Sequence, residues 1–390
     1  MSSAWKYVIA YLVIIQLFLD LVVPASWVYH YRVPYEIFKD DPHVIDLALD
    51  RIAREIHRKQ ITDYVFLLGD SVMYSGPGGP DQSIGYYMEK ISAARGRPLR
   101  VFNLAQPAMQ AGDIYIVLHK LKERGLATDR VVINLLYGGF VARRPNPPIV
   151  YWLGDDLRRV DPEAWRRHRE ALLQVPEVRM AHTWRQRLDL FLRRHVSLMA
   201  YRATLRDRLF QWLQRSEEVY NTQPWHEKPW LPALMQEDQH QQYFRPHPFD
   251  MTASNPQIDF LQRILALTAD RPPLIFLTPS NQVLMEANVA HPGYQANLRA
   301  VDAWFANKPA YYYNWESALP DGLFADHVHL TPEGYGGARG HDPGRPQEGG
   351  GPWLRPARCP LARAAGRPPG AARRHRLRRM SCPENACTAI

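Results

Sequence analysis

Short apolar runs with polar or glycine ends alternate with stretches of helical spacing in two parts of the chain. Residues 63–68 (DYVFLL) pass from a polar start into a continuous apolar run that stops at Gly69, the pattern of a strand buried on both faces and feeding a turn. Residues 83–94 place Ile84, Tyr87, Met88 and Ile91 at helical spacing. Residues 99–104 predict a second strand and 113–123 a second helix; 130–136 (RVVINLL) predict a third strand, and 273–277 (PLIFL) a fourth. A helix over 294–307 and a short last strand over 310–313 close the series. Strands alternating with helices predict an α/β domain with a parallel sheet covered on both faces. The chemistry of such sheets sits just beyond the carboxyl ends of the strands.

Between 141 and 260 the alternation stops. Asp161-Pro162-Glu163 is a helix start, with a capping carboxylate and then Pro at the first helical position. Residues 183–215 form a long basic stretch of helical spacing, with Leu188, Phe191, Leu192, Leu198, Met199 and Leu205 giving it an apolar side. Two readings fit it: a surface for membrane lipid or polymer, or a helical insertion packed on the sheet with a solvated Arg face. The expected organisation is therefore a domain over 60–140 and 261–336, interrupted by a mainly helical insertion over 141–260.

The two ends differ from this body. Residues 7–29 are a run of 23 mostly apolar residues, about 34 Å long as a helix and so long enough for a hydrocarbon core of about 30 Å. Tyr7, Tyr11, Trp27 and Tyr29 flank it, while Asp20 lies within it and Val23-Pro24-Ala25 resembles the end of a cleavable signal. Residues 1–30 read as a membrane anchor or a signal, with the anchor preferred, and both place the remainder outside the cytoplasm. Residues 337–390 are dense in Gly, Pro, Ala and Arg and lack the periodicity of a packed core. They read as a disordered tail, and the abrupt change of composition points to a frame change in the gene.

Composition and charge sharpen this division. A hydrophobic fraction of 46% with 22% charged residues suits a globular protein. The tail carries eleven Arg against Asp342, Glu348 and Glu384, so of the net charge of +9 only +1 belongs to residues 1–336. A body so near neutrality has no general pull on a phosphate backbone, and no nucleic-acid partner is expected. All three cysteines (Cys359, Cys382, Cys387) also lie in the tail, and a body without thiols suits an oxidising compartment.

The strongest chemical signal is Gly69-Asp70-Ser71 at the end of the first strand. A Ser on a tight turn opening a helix projects its hydroxyl over the active edge, where backbone N–H groups can face an oxyanion. A hydroxyl needs a base, and Asp326-His327-Val328-His329 supplies one, since a carboxylate three residues before a His can fix its tautomer. Together, Gly69-Asp70-Ser71 and Asp326-x-x-His329-Leu330-Thr331-Pro332-Glu333-Gly334-Tyr335 resemble the two ends of the SGNH/GDSL hydrolase family, over roughly residues 60–336. The resemblance implies a flavodoxin-like three-layer α/β/α fold. It also implies Ser71 as nucleophile, His329 as general base and Asp326 as its orienter.

The middle of the pattern departs from the family. Asn103-Leu104-Ala105-Gln106-Pro107-Ala108 puts Ala108 where the family has an oxyanion-hole Gly, so the backbone N–H groups of Ser71 and Ala108 are the expected donors. The family's third block carries an Asn, whereas the third strand here ends Leu135-Leu136-Tyr137-Gly138-Gly139. Asn103 or Asn281 could substitute, and each could equally be a turn-capping residue. Asp70, Asn103, Tyr137, Gly138 and Asn281 are the candidate substrate-binding residues. His327 beside His329 is a poor basis for a metal pair, so neither a metal nor a cofactor is expected. Gly76-Pro77-Gly78-Gly79-Pro80 reads as a mobile loop beside the site.

The resemblance extends to anchored periplasmic proteins that modify cell-surface polysaccharide. It implies an acyl-esterase or acyltransferase at the inner membrane, acting through an acyl-Ser71 intermediate on a carbohydrate or ester substrate beside a membrane-bound O-acyltransferase. A simple esterase for lipid or small esters and a catalytically inactive scaffold are the alternatives.

Overall fold

The computed structural model describes residues 3–337, except 129, 142–148, 174–179, 182 and 215–220. The tail expected over 337–390 lies outside the described residues save for Gly337. In chain order the principal elements begin with α1 (Ser3–Val22), α2 (Val44–Lys59), β1 (Tyr64–Leu68), α3 (Ser71–Tyr74), α4 (Ile84–Ala94), β2 (Arg100–Asn103), α5 (Ala111–Glu123) and β3 (Val131–Leu135). They continue with α6 (Pro162–Leu173), α7 (Trp184–His195), α8 (Ser197–Ala200), α9 (Arg202–Gln214), α10 (Pro256–Leu267), β4 (Leu274–Leu277), α11 (Pro292–Phe305) and β5 (Tyr311–Asn314).

The five strands form one parallel sheet in the order β2-β1-β3-β4-β5, flanked by helices. Apolar runs with almost no alternation make this possible, because both faces of β1 and β3 are covered. The fold is therefore α/β. Register brings Leu67 opposite Asn103 and Leu68 opposite Ile133, so the ends of β1, β2 and β3 open onto one edge. The order reverses direction beside β1, which makes the β1–α3 turn a natural place for a site.

Helix α2 was not anticipated. Its apolar face (Val44, Ile45, Ala48, Leu49, Ile52) enters the same core as the sheet, and it packs on α5. Behind that contact Lys120 Nζ lies 2.9 Å from carboxylate oxygens of both Asp46 and Asp156, and Arg194 reaches Asp156 at 2.7 Å. This network ties α2, α5 and the insertion together.

Two expectations change. Of the basic stretch of helical spacing, the described residues 183–214 form three helices, α7, α8 and α9. The chain breaks at Val196, which is extended, and at Tyr201, whose ring is fully buried and whose hydroxyl meets Arg51 at 2.7 Å. Much of its apolar side also faces outward, as Leu188 and Phe191 are 48% and 57% exposed. The N-terminal run forms α1 but stops before Pro24, and among the described residues no helix is long and apolar enough to cross a membrane. The side chain of Asp20 lies outside the described set.

Candidate active site

The chain leaves β1 through Gly69, whose φ is +150°. A Cβ there would come within 1.6 Å of Asn134 Oδ1, so only glycine fits the approach of β3's side chain. Asp70 then caps α3. Its Oδ1 accepts from Val72 N at 2.9 Å and from Asn134 Nδ2 at 2.9 Å, while its own N–H donates to Asn134 Oδ1 at 3.2 Å. The other Asn134 N–H reaches Thr278 Oγ1 at 3.0 Å on the β4 end. Burial pushes the Asp70 carboxyl above its ordinary pKa, against the bonds from Asn134 and the backbone. One side chain of β3 thus fixes the turn that carries Ser71.

The turn is held from the other side as well. Buried Arg32 lies 4.0 Å over the Tyr74 ring and donates to the carbonyls of Tyr74 (2.9 Å), Ser75 (3.1 Å) and Gly78 (2.6 Å). Tyr335 donates to Gly76 O at 3.0 Å, and Gln82 Oε1 accepts from Gly79 N at 3.1 Å. The glycine-rich segment expected to be mobile is instead pinned, with Gly78 and Gly79 buried. A buried Arg and a Tyr over 250 positions away supply the pins, and no local pattern announces them.

Ser71 and His329, far apart in the chain, meet over this edge. Ser71 Oγ is 2.7 Å from His329 Nε2, and His329 Nδ1 is 2.7 Å from Asp326 Oδ2. With Nδ1–H donating to the carboxylate, Nε2 is left as the acceptor for the Ser71 hydroxyl. Asp326 Oδ1 also accepts from Val328 N (2.9 Å) and His329 N (2.8 Å). Burial alone would raise Asp326, but the His329 charge and hydrogen bond, with His327 and the Val328 N–H, hold it well below the usual carboxylate range. Burial opposes protonation of His329, and the Asp326 carboxylate, aided by Asp70, outweighs it and keeps the imidazole pKa above the ordinary value. The side chains of Asp326 and His329 remain 28% and 22% exposed, so solvent reaches the cluster.

The loop behind His329 is fastened to the insertion. Lys228 Nζ donates to Ala325 O at 2.8 Å, and Trp225 bonds Phe324 O (2.9 Å) and Asp321 O (3.0 Å). Ala325 N in turn donates to His329 O at 2.8 Å. His327 packs against Phe244 and His240, and burial pushes its pKa down to about 4, against the pull of Asp326.

The candidate oxyanion donors lie on neighbouring strand-end loops, joined by Gln106 N donating to Gly69 O at 3.1 Å. Ala108 sits in the left-handed region (φ +61°) and is exposed. Among the described residues neither its N–H nor that of Ser71 has an acceptor. The other candidates are spent internally. Asn103 bridges Met73 O (2.7 Å) and Ala105 N (3.0 Å). Asn281 holds Leu284 N (2.9 Å), and its backbone N–H donates to His327 O (2.9 Å). Tyr137 is buried, stacks on Tyr294 and bonds Arg245 O and Asn297, and Gly138 is packed under Tyr243. Asp70, too, faces inward. The polar side chains of Asp70, Asn103, Tyr137 and Asn281 thus all have partners within the protein.

Asn134 was not among the expected residues. It hides in an apolar run, and its partners are 64 and 144 positions away. Both of its N–H groups are used within the protein, so it braces the turn that carries Ser71. Among the described residues one group has metal-ligand spacing, His43, Asp46 and Asp156. Lys120 and Arg194 already meet those carboxylates, which makes it an ion-pair network.

Searched against protein-family models and against curated proteins, the chain matches none.

Proposed function

We propose that the chain is a serine acyl-esterase or acyltransferase of SGNH hydrolase type, acting on acetyl esters of cell-surface polysaccharide outside the cytoplasm. The observation that carries it is the unbroken hydrogen-bonded line from Ser71 Oγ through His329 to Asp326, 2.7 Å at each step. The strand order supports a flavodoxin-like fold of the kind that family uses, since it is the doubly wound order of flavodoxin. The exposed apolar residues of α1 support a location at a membrane; the O-acyltransferase beside it, as the source of the acyl group, comes from the resemblance alone.

In the first half-reaction Ser71 Oγ attacks the ester carbonyl as its proton passes to His329 Nε2. The N–H groups of Ser71 and Ala108 receive the developing oxyanion. Asp326 stays ionised and stabilises the imidazolium. Collapse expels the alcohol, which takes the proton from His329, and leaves acyl-Ser71. A sugar hydroxyl or water then gives its proton to His329, accepts the acyl group and frees Ser71.

A fluorophosphonate probe should label the full chain and fail to label Ser71→Ala. Absence of labelling in the unaltered chain would leave a non-catalytic scaffold as the better reading. Acetylated glycan offered with a second glycan or with water alone then separates transfer from hydrolysis.

A further inference from the structure

Globular proteins scatter their exposed apolar side chains. Here they are concentrated. Of 20 large apolar residues exposed among the described residues, eight lie on α1 and eight fall within residues 184–213. Trp184, Leu188 and Phe191 stand out from α7, and Phe210, Trp212 and Leu213 from α9, with Trp212 75% exposed.

These helices are neighbours. Helix α8, between α7 and α9, packs on α1, and Gln16 of α1 bonds His195 O (3.1 Å) and Ser197 N (2.7 Å). The arm is also firmly seated. Arg193 pairs with Asp41 at 2.8 Å, Arg206 pairs with Asp40, and Tyr201 is fully buried against Arg51. Ion pairs therefore tie the arm to the body while tryptophan, phenylalanine and leucine face out, the reverse of an ordinary surface helix.

The charges on the outer side select the occupant. Arg185 and Arg187 are exposed, and among the described residues neither has a carboxylate partner; Arg185 instead lies 5.5 Å over the Trp184 ring. Lys6, at the start of α1, is likewise exposed and unpaired. The indole of Trp184 beside an unpaired guanidinium, with Trp212 exposed on α9, matches a bilayer interface, where rings sit at headgroup level and cations meet anionic lipid. We propose that the outer sides of α7 and α9, continuous with α1, form a membrane-binding face that seats in a bilayer carrying anionic headgroups. The inference rests on exposure and charge, and stands whether or not the chain transfers acyl groups.

The test uses the purified full chain with vesicles of three parts phosphatidylcholine to one part phosphatidylglycerol. Hydrogen exchange should slow in peptides covering 184–195 and 202–213 when vesicles are added. Slowing confined to α1, or none, overturns the proposal. So does a stable dimer in which these helices are protected before any vesicle is present, since a second copy would then be the occupant. Arg185→Glu with Arg187→Glu should weaken binding to the mixed vesicles by about tenfold or more and lose its effect at high salt. Equal binding by this variant and the unaltered chain, with unchanged circular dichroism, would refute the assignment of anionic lipid.

Discussion

At the carboxyl edge of the sheet, polar groups lie inside the protein, and along α1, α7 and α9, apolar groups lie outside it. Each arrangement costs stability in isolation: an unmatched buried carboxylate or amide is expensive, and so is apolar surface left in water. The site resolves the first cost within the chain, since Asp70, Asn134, Thr278, Asp326 and His329 are matched to one another. The helical face has no such internal resolution, and its remedy lies in whatever covers it. A conflict solved internally marks a preorganised site, whereas one left open marks a surface awaiting a partner.

The largest effect that tests this contrast comes from the site. Ser71→Ala should lower acyl transfer on the order of 10⁴-fold or more, and adding His329→Ala should change little further, because the two act as a unit. Additive losses in the double variant would break the claim that the edge is one preorganised device. The measurement is kcat on an acetyl ester for both single variants and the double.

Next in size are changes to the brace under Ser71. Gly69→Ala forces a Cβ into Asn134 Oδ1 and should cost about 3 kcal/mol or more in chemical denaturation. Asn134→Ala removes two donors and an acceptor without adding bulk. It should cost about 1–3 kcal/mol and lower kcat about 10²-fold by letting the Ser71 turn drift. Retained kcat in a folded Asn134→Ala protein would show that the turn does not need β3.

These residues also show what a sequence can convey. Every strand is legible to within about two residues, because a parallel strand is a local apolar run, bounded in most cases by Gly or polar residues. Ser71, Asp326 and His329 are legible because the turn and the D-x-x-H spacing are local. Asn134, Arg32 and Lys228 are not, since each is defined by a partner remote in the chain and looks like strand filler, linker charge or surface charge. Helix α2 had an apolar face that periodicity could have found, although no side chain caps its start. The exposure of α7 was unreadable for another reason: helical spacing says which residues share a side, and only the fold says whether that side meets the core.

A smaller effect sharpens the contrast from the insertion's side. Lys228 opposes protonation of His329 through its charge, and it holds Ala325 O. In the proposed reaction His329 works as a neutral base, and its pKa lies above the ordinary value, so the rate should fall as pH drops through that raised pKa. Lys228→Met removes the opposing cation, raises His329 further and should move the acidic limb of kcat/KM to higher pH. An unmoved limb with lowered kcat would leave Lys228 only its bond to Ala325.

The smallest expected effect falls on a strained residue of the otherwise matched edge. Ala108 holds φ +61°, a conformation that costs a residue with a Cβ roughly 1–2 kcal/mol. Glycine adopts it freely but loses about 0.5–1 kcal/mol more backbone entropy on folding, so Ala108→Gly should stabilise by at most about 1.5 kcal/mol. The backbone N–H is kept in place, so kcat should stay constant while the melting temperature rises slightly. A fall in kcat with the same gain in stability would mean that the methyl group keeps the loop from relaxing, and that the edge stores strain where its hydrogen bonds leave a donor free for the oxyanion.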